Sequence, residues 1–121
     1  MTTYKNLEAW KKSMLLVKEV YELTKLFPKE ELYALSSQAK RAVVSIPSNI
    51  AEGCGRQYKR DTKQFLHIAR GSLYELETIL YVAVSVDILN SDKFETLTPL
   101  IDENMRILNG LINRYERDDL R

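Results

Sequence analysis

The most reactive side chains in the 121-residue chain are its single cysteine, Cys54, and its single histidine, His67. A thiolate–imidazole nucleophile would need them in contact. Cys54 sits between two glycines in the segment AEGCGR (residues 51–56). His67 sits between Leu66 and Ile68, on a stretch that reads as apolar nearly all round. That setting fits a partly buried structural histidine better than a general base, and Cys54 better as a small filler between glycines than as a nucleophile. One cysteine and one histidine cannot furnish a zinc site of the usual kind, so neither metal nor cofactor is expected.

The glycines of AEGCGR invite comparison with phosphate-cradling loops. A P-loop needs a second, spaced glycine followed by Lys and Ser/Thr, and the dinucleotide fingerprint needs a third glycine where Tyr58 stands. Neither pattern is present. Glu75 and Glu77 flank Leu76 and point to different faces of a helix, so they form no acid–base couple. The Glu-x-x-His signature of carboxylate-bridged metal sites in bundles is absent. These absences lead to the expectation that the chain is not an enzyme. One polar constellation remains, Asn49, Glu52 and Arg56. Asn49 and Glu52 lie three residues apart on one helix face, and the cluster is open to two readings, a binding site or a packing device that ties a helix end to the next loop.

The elements that would position these residues are helices. In the first segment Leu7, Trp10, Met14, Val17, Tyr21 and Thr24 recur at steps of three and four, which places them on one face. Phe27-Pro28 closes it, because the residue before a proline is pushed out of the helical region. In the second segment Leu35, Ala39, Ala42, Ile46 and Ile50 share a face, with Val43 beside them. Gly53 and Gly55 mark its end, as residues able to take a left-handed C-cap conformation. Pro47 lies inside this segment. It removes a backbone donor and clashes with the carbonyl of Val43, so it either ends the helix or kinks it. Ile46 and Ile50 stay in phase across it, and Ser48 and Asn49 can bond the freed backbone groups, which favours a continuous helix kinked at Pro47.

The third segment runs from Thr62 to about Val86. Asp61 with Gln64 is a candidate capping box. Phe65, Ala69, Leu76 and Ala83 form one stripe and Leu66, Leu73 and Leu80 a second, while Ile68, Ile79, Val82 and Val86 widen the apolar surface. An ordinary surface helix has a single stripe, so this one is expected to be covered on more than one side, as the central helix of a bundle or as part of a subunit interface. The fourth segment starts near Asp92, with Glu95 as its reciprocal partner, and carries Phe94, Leu97, Ile101, Met105, Leu108, Ile112 and Tyr115. Pro99 gives it an early bend. With short links and no strand alternation, the fold class is all-α: an antiparallel up-down-up-down four-helix bundle, one domain over residues 1–121.

Composition agrees: 45% apolar and 29% charged residues make a globular chain. No stretch approaches the roughly 20 apolar residues of a membrane span, the N-terminus lacks a signal-peptide apolar region, and a lone cysteine permits no internal disulfide. A cytoplasmic location without membrane partners is expected. The net charge of +1 hides an asymmetry. Residues 1–70 hold 13 Lys/Arg against 7 Asp/Glu, and residues 71–121 hold 5 against 10. Such segregation suits an anionic partner, or self-association of one copy's basic surface with another's acidic one.

Four stretches carry a resemblance: L-x-x-W (Leu7–Trp10), V-Y-x-L-T-x-x-F-P (Val20–Pro28), L-x-S-Q-x-x-R-A-x-x-S-I-P-S-N-I-A-E-G-x-G-R (Leu35–Arg56) and F-L-x-I-A-x-G-S-L-x-E-L-E-T (Phe65–Thr78). Together they resemble the four-helix-bundle proteins of the 23S rRNA intervening-sequence family, over about residues 5–115. SIPSNIAEG and the IA-x-GS-x-E-L-E segment are the most specific parts. The resemblance implies an antiparallel bundle assembled as a ring-like homopentamer. A related branch, the accessory proteins of diversity-generating retroelements, implies a basic barrel that binds RNA and a reverse transcriptase. Arg41, Asn49, Glu52 and Arg56 fall on the shared motif, which brings no catalytic role with it.

The functional expectation is a non-enzymatic homo-oligomer that binds structured RNA through a basic surface. Lys40, Arg41, Arg56, Lys59, Arg60 and Lys63 would contact phosphates and Tyr58 would stack on a base. The alternative is a structural adaptor ring that docks a protein partner and has no nucleic-acid role.

Overall fold

A computed structural model of the chain describes residues 3–31 and 34–119, with side chains as far as residue 117. Four helices account for most of it: α1 (Glu8–Thr24), α2 (Leu35–Cys54), α3 (Lys59–Ser85) and α4 (Ser91–Asp119), with short 3-10 turns at Tyr4–Asn6 and Lys29–Glu31. The described residues contain no strand. Each helix packs on its neighbour in sequence and α4 closes back onto α1, while among the described residues no backbones of the diagonal pairs approach to within 8 Å between Cα atoms. The most extensive of these contacts is α2 on α3.

Neighbours run antiparallel. Ser45 lies opposite Ser72 while Gly53 lies opposite Thr62; Arg70 faces Asn109 while Tyr81 faces Phe94. The connections enforce this direction. Residues 55–58 can span at most about 14 Å, whereas α2 is about 30 Å long, so the chain cannot return to the far end before α3 begins.

Periodicity predicts the core faces of α2, α3 and α4 and misphases α1. Of the residues placed by spacing on the apolar face, Thr24 is buried and Leu7, Trp10 and Val17 are partly buried against the core, but Met14 and Tyr21 are 43% and 41% exposed, and the buried residues are Ala9, Ser13, Leu16, Val20, Leu23 and Thr24. Two interleaved sets recur at steps of three and four in α1. The set that wins includes Ser13, which is tolerable inside because its hydroxyl bonds the Trp10 carbonyl at 2.8 Å.

Both internal prolines stay inside unbroken helices. Ile46 and Ile50 are each 1% exposed, and ending α2 at Pro47 would forfeit the burial of Ile50, worth about 1.5–3 kcal/mol. That gain is of the same size as the roughly 3 kcal/mol that an interior proline costs. Pro99 sits on the outer face of α4, where water can solvate the freed carbonyl.

The ends of the helices depart from expectation. Gly53 and Gly55 do not supply a left-handed cap, since no glycine has positive φ, and Gly55 ends α2 in right-handed geometry (φ −85°, ψ −3°). The left-handed residue is Asp87, at φ 63° after α3. Its amide bonds the Val84 carbonyl at 3.1 Å and the Ile88 amide bonds the Ala83 carbonyl at 2.8 Å, the pair of bonds of a Schellman stop. Asp61 does not cap α3, which starts two residues earlier with Tyr58 at the N-cap. A start at Asp61 would leave Thr62 at the helix edge, whereas one turn of helix before it lets Thr62 pack inward against Gly53. α4 begins at Ser91, not Asp92, because the Asn90 side chain accepts from the Asp92 amide at 2.7 Å.

Gly53 is needed for close approach. A methyl group there would lie 2.9 Å from Phe65 Cβ and 3.1 Å from the Thr62 carbonyl oxygen. Helices in contact at this point leave room for the Thr62 hydroxyl to donate to the Gly53 carbonyl at 2.7 Å. Gly71 and Gly110 are different, for a methyl group at either meets nothing within 4 Å.

On the opposite side, Lys12 Nζ lies 2.7 Å from Glu103 Oε1, both about one-third exposed. The hydrogen bond and charge of Glu103 raise the Lys12 pKa, and the bond from Lys12 lowers that of Glu103. Beside them the buried Asn104 side chain donates to the carbonyls of Lys12 (3.2 Å) and Leu100 (2.9 Å), tying α1 to α4.

Three outcomes are expected in urea unfolding. Gly53→Ala lowers stability by about 1–3 kcal/mol, whereas Gly110→Ala raises it by about 0.5–1 kcal/mol. Asp87→Gly raises it by about 1 kcal/mol, by removing both the left-handed strain and an acid at a helix C-terminus. The stability gap between wild type and Glu103→Gln is constant near neutral pH. It shrinks as pH falls below the usual carboxylate value of 4.5, and is lost once pH has passed through the lowered native value. The Lys12 contribution is present below 10.5 and is lost as pH rises through its raised value.

Candidate nucleic-acid interface

The basic candidates fall into two groups at opposite ends of α2. Arg56 and Tyr58 occupy the four-residue turn between α2 and α3, and Lys59, Arg60 and Lys63 occupy the first turns of α3. Lys40 and Arg41 lie on the first turns of α2, and the helix from Arg41 to Cys54 is about 20 Å long. A contiguous run of sequence thus yields two separate cationic regions.

The turn group is the denser one. Arg60 and Tyr58 project into solvent, 86% and 60% exposed. Arg60 Nε comes no closer to Asp61 than 4.0 Å, a surface pairing of little strength. Arg56 is held more firmly: its guanidinium donates to Glu52 Oε1 at 3.3 Å and stacks over the Phe65 ring at 4.6 Å. Phe65 was not separable from the core stripe by spacing, and only the close passage of α3 under the turn puts its ring there. Asp61 in the first turn of α3 complements the positive end of that helix. At the other end Lys40 is half-buried with Nζ 5.2 Å from the centre of the Tyr21 ring, a cation–π contact. Arg41 is exposed.

The constellation of Asn49, Glu52 and Arg56 divides. Glu52 and Arg56 pair along the helix, while the Asn49 amide donates to the Ser45 carbonyl at 2.8 Å and to Ser45 Oγ at 2.9 Å. Ser45 Oγ in turn meets Ser72 Oγ at 2.8 Å. Asn49 therefore belongs to a polar chain crossing from α2 to α3.

His67 stands on the α3–α4 seam. Arg70 Nη2 lies 3.0 Å from its Nδ1 and Glu116 Oε1 lies 3.2 Å from its Nε2. Because a guanidinium can only donate, Nδ1 accepts and Nε2 carries the proton toward Glu116. Arg70 also donates to Asn109 Oδ1 at 3.0 Å, so the Nε2–Glu116 and Arg70–Asn109 contacts join α3 to α4, while the Nδ1–Arg70 contact ties the two side chains together along α3. Cys54 is half-buried against the core, and burial pushes its thiol pKa up, away from the thiolate a nucleophile requires. Among the described residues no group of three or more His, Cys, Asp or Glu is arranged to share a metal ion, and no helix is long and apolar enough to cross a membrane.

A search for similar curated proteins returned no match. Residues 5–110 match the family model described as 23S rRNA-intervening sequence protein, a span that takes in all of α1, α2 and α3, the basic turn and most of α4. With four helices closed around one core and that match across most of its length, the chain belongs to the 23S rRNA-intervening sequence protein family.

Proposed function

We propose that the protein is a non-enzymatic homo-oligomer, pentameric as the family resemblance implies, that binds structured RNA in the cytoplasm through the turn between α2 and α3. The observation that carries this reading is the turn itself. Arg56, Lys59, Arg60 and Lys63 surround an exposed tyrosine at one end of the bundle, within a span of eight residues. Four cations can neutralise phosphates while Tyr58 offers a ring to an unpaired base, the combination that single-stranded loops of RNA favour. The Arg56 stack on Phe65 pre-orders one of the cations, which reduces the entropy lost on contact. The family description refers to ribosomal RNA and supports the choice of an RNA partner. Repetition of the turn around an oligomer would multiply its field. Lys40, already engaged with Tyr21, and Arg41 contribute at a second, weaker region.

A second reading, an adaptor that docks a protein partner, draws on an apolar groove of about 400 Å³ between α1 and α4. It is lined by Leu15, Leu23, Leu26, Leu97 and Leu100, with Glu19 and Glu22 on its rim.

Fluorescence anisotropy with a stem–loop RNA from 50 to 300 mM salt separates the two. The RNA reading expects the log–log salt slope to fall by about 0.7–0.9 for each phosphate-contacting cation removed, so the double variant Lys59→Ala/Arg60→Ala loses roughly 1.5 units of slope. Tyr58→Ala weakens binding by about 1–3 kcal/mol with the slope unchanged. Lys40→Ala/Arg41→Ala has the smaller effect. Binding that is undetectable at 50 mM salt, or indifferent to the turn variants, overturns the RNA reading in favour of the adaptor.

A further inference from the structure

The outer side of the bundle is divided in a way the basic turn does not explain. The exposed faces of α1 and α4 are crowded with charge, including Lys18, Glu19, Glu22, Glu95, Asp102 and Arg106. Away from the cationic regions already described, the faces of α2 and α3 are not. From Ala42 to Ala51 α2 has no acidic or basic side chain, and from Gly71 to Ser85 α3 has only Glu75 and Glu77. On α3, Ile68, Tyr74, Tyr81, Val82 and Val86 are each 41–59% exposed. Gly71 stands among them near the middle of the helix, where a methyl group would meet nothing within 4 Å. Alanine would favour the helix there, so the lone chain gives no reason for glycine.

Resting on the homo-oligomer reading, we infer that the outer face of α3, with the adjoining face of α2 around Val44 and Ser48, is the surface through which copies of this chain associate. The area fits that occupant. Five large side chains about half exposed leave on the order of 400 Å² of largely apolar surface. A standard interface takes about 800 Å² from each partner, of which a little over half, roughly 450 Å², is apolar. The charge pattern fits a second copy as well: in a ring each contact sets one patch of a copy against a different patch of the next, and a face nearly free of charge sets few equal charges against whichever patch it meets. Thr78 and Ser85 follow Gly71 at seven-residue steps, a line of small side chains between larger ones. A helix from a neighbouring copy can approach along that line. The apolar excess of α3, more than one bundle core consumes, thereby acquires a use.

Light-scattering mass after size exclusion tests the assignment on the full chain. The wild type is expected to run as an oligomer. Gly71→Arg and Val82→Lys, both at exposed positions, are expected to lower the mass at least twofold at equal concentration with helical circular dichroism retained. Glu95→Arg, on the charged side, leaves the mass unchanged. Should the face variants lose helicity, thiol labelling decides. Thr78→Cys in a Cys54→Ser background is labelled at least tenfold more slowly at assembling concentration than after dilution, while Ser91→Cys labels equally in both. An oligomer whose mass ignores Gly71→Arg and Val82→Lys, or a Thr78→Cys thiol labelled at one rate throughout, overturns this face and leaves the oligomer standing. A wild type with the mass of a single 14.1 kDa chain overturns both the face and the oligomer.

Discussion

Between Gly53 and the first turns of α3 there is no space for one more carbon atom. That contact fixes how the second half of the bundle meets the first. It draws the end of α2 and the start of α3 together, so that the turn between them needs four residues and the Thr62 hydroxyl reaches the Gly53 carbonyl. The same closeness recurs along the seam as Ser45 meets Ser72, two short side chains bonded across the gap. Longer residues at these points would splay the helices. The turn carrying Arg56 and Tyr58 would then lose the Phe65 ring beneath it, and with it the ordered guanidinium.

Much of this architecture was legible in the sequence because helical burial has a strong period. Ile46 and Ile50 in phase across Pro47 outweighed the usual reading of proline as a terminator, and the helix does continue there. The α1 stripe was harder. Leu7, Trp10, Met14 and Val17 compete with Ala9, Ser13, Leu16 and Val20 at the same spacing, and small residues such as Ala9 and Ser13 register as core only when the neighbour they fit is known. Helix ends were least legible, since a cap is a matter of two or three bonds. Asp87 adopts the left-handed stop in place of a glycine, and Asn90 starts a helix that Asp92 seemed to start.

For the candidate site, composition identified the cations but not their separation. Lys40 and Lys63 are near in sequence and apart in space because about 20 Å of α2 lies between Lys40 and the turn. The cluster of Asn49, Glu52 and Arg56 shows the opposite limit. Shared facing on a helix suggests association, but Asn49 has a better partner in Ser45, whose hydroxyl already points to α3. A pairing across helices is invisible to spacing along one of them. Arg70 with Asn109 and His67 with Glu116, paired over the α3–α4 seam, are of the same kind.

The tight seam also bears on the order in which the chain assembles. The Thr62–Gly53 bond closes a loop of only nine residues, and the entropy of loop closure rises with loop length. The bond between Asn104 and Lys12 spans ninety-two. The hairpin of α2 and α3 is accordingly the least expensive pair to bring together, whereas docking α4 on α1 must wait until the rest of the chain has been drawn in. The motif-bearing half of the protein is the part whose encounter the chain itself makes easiest.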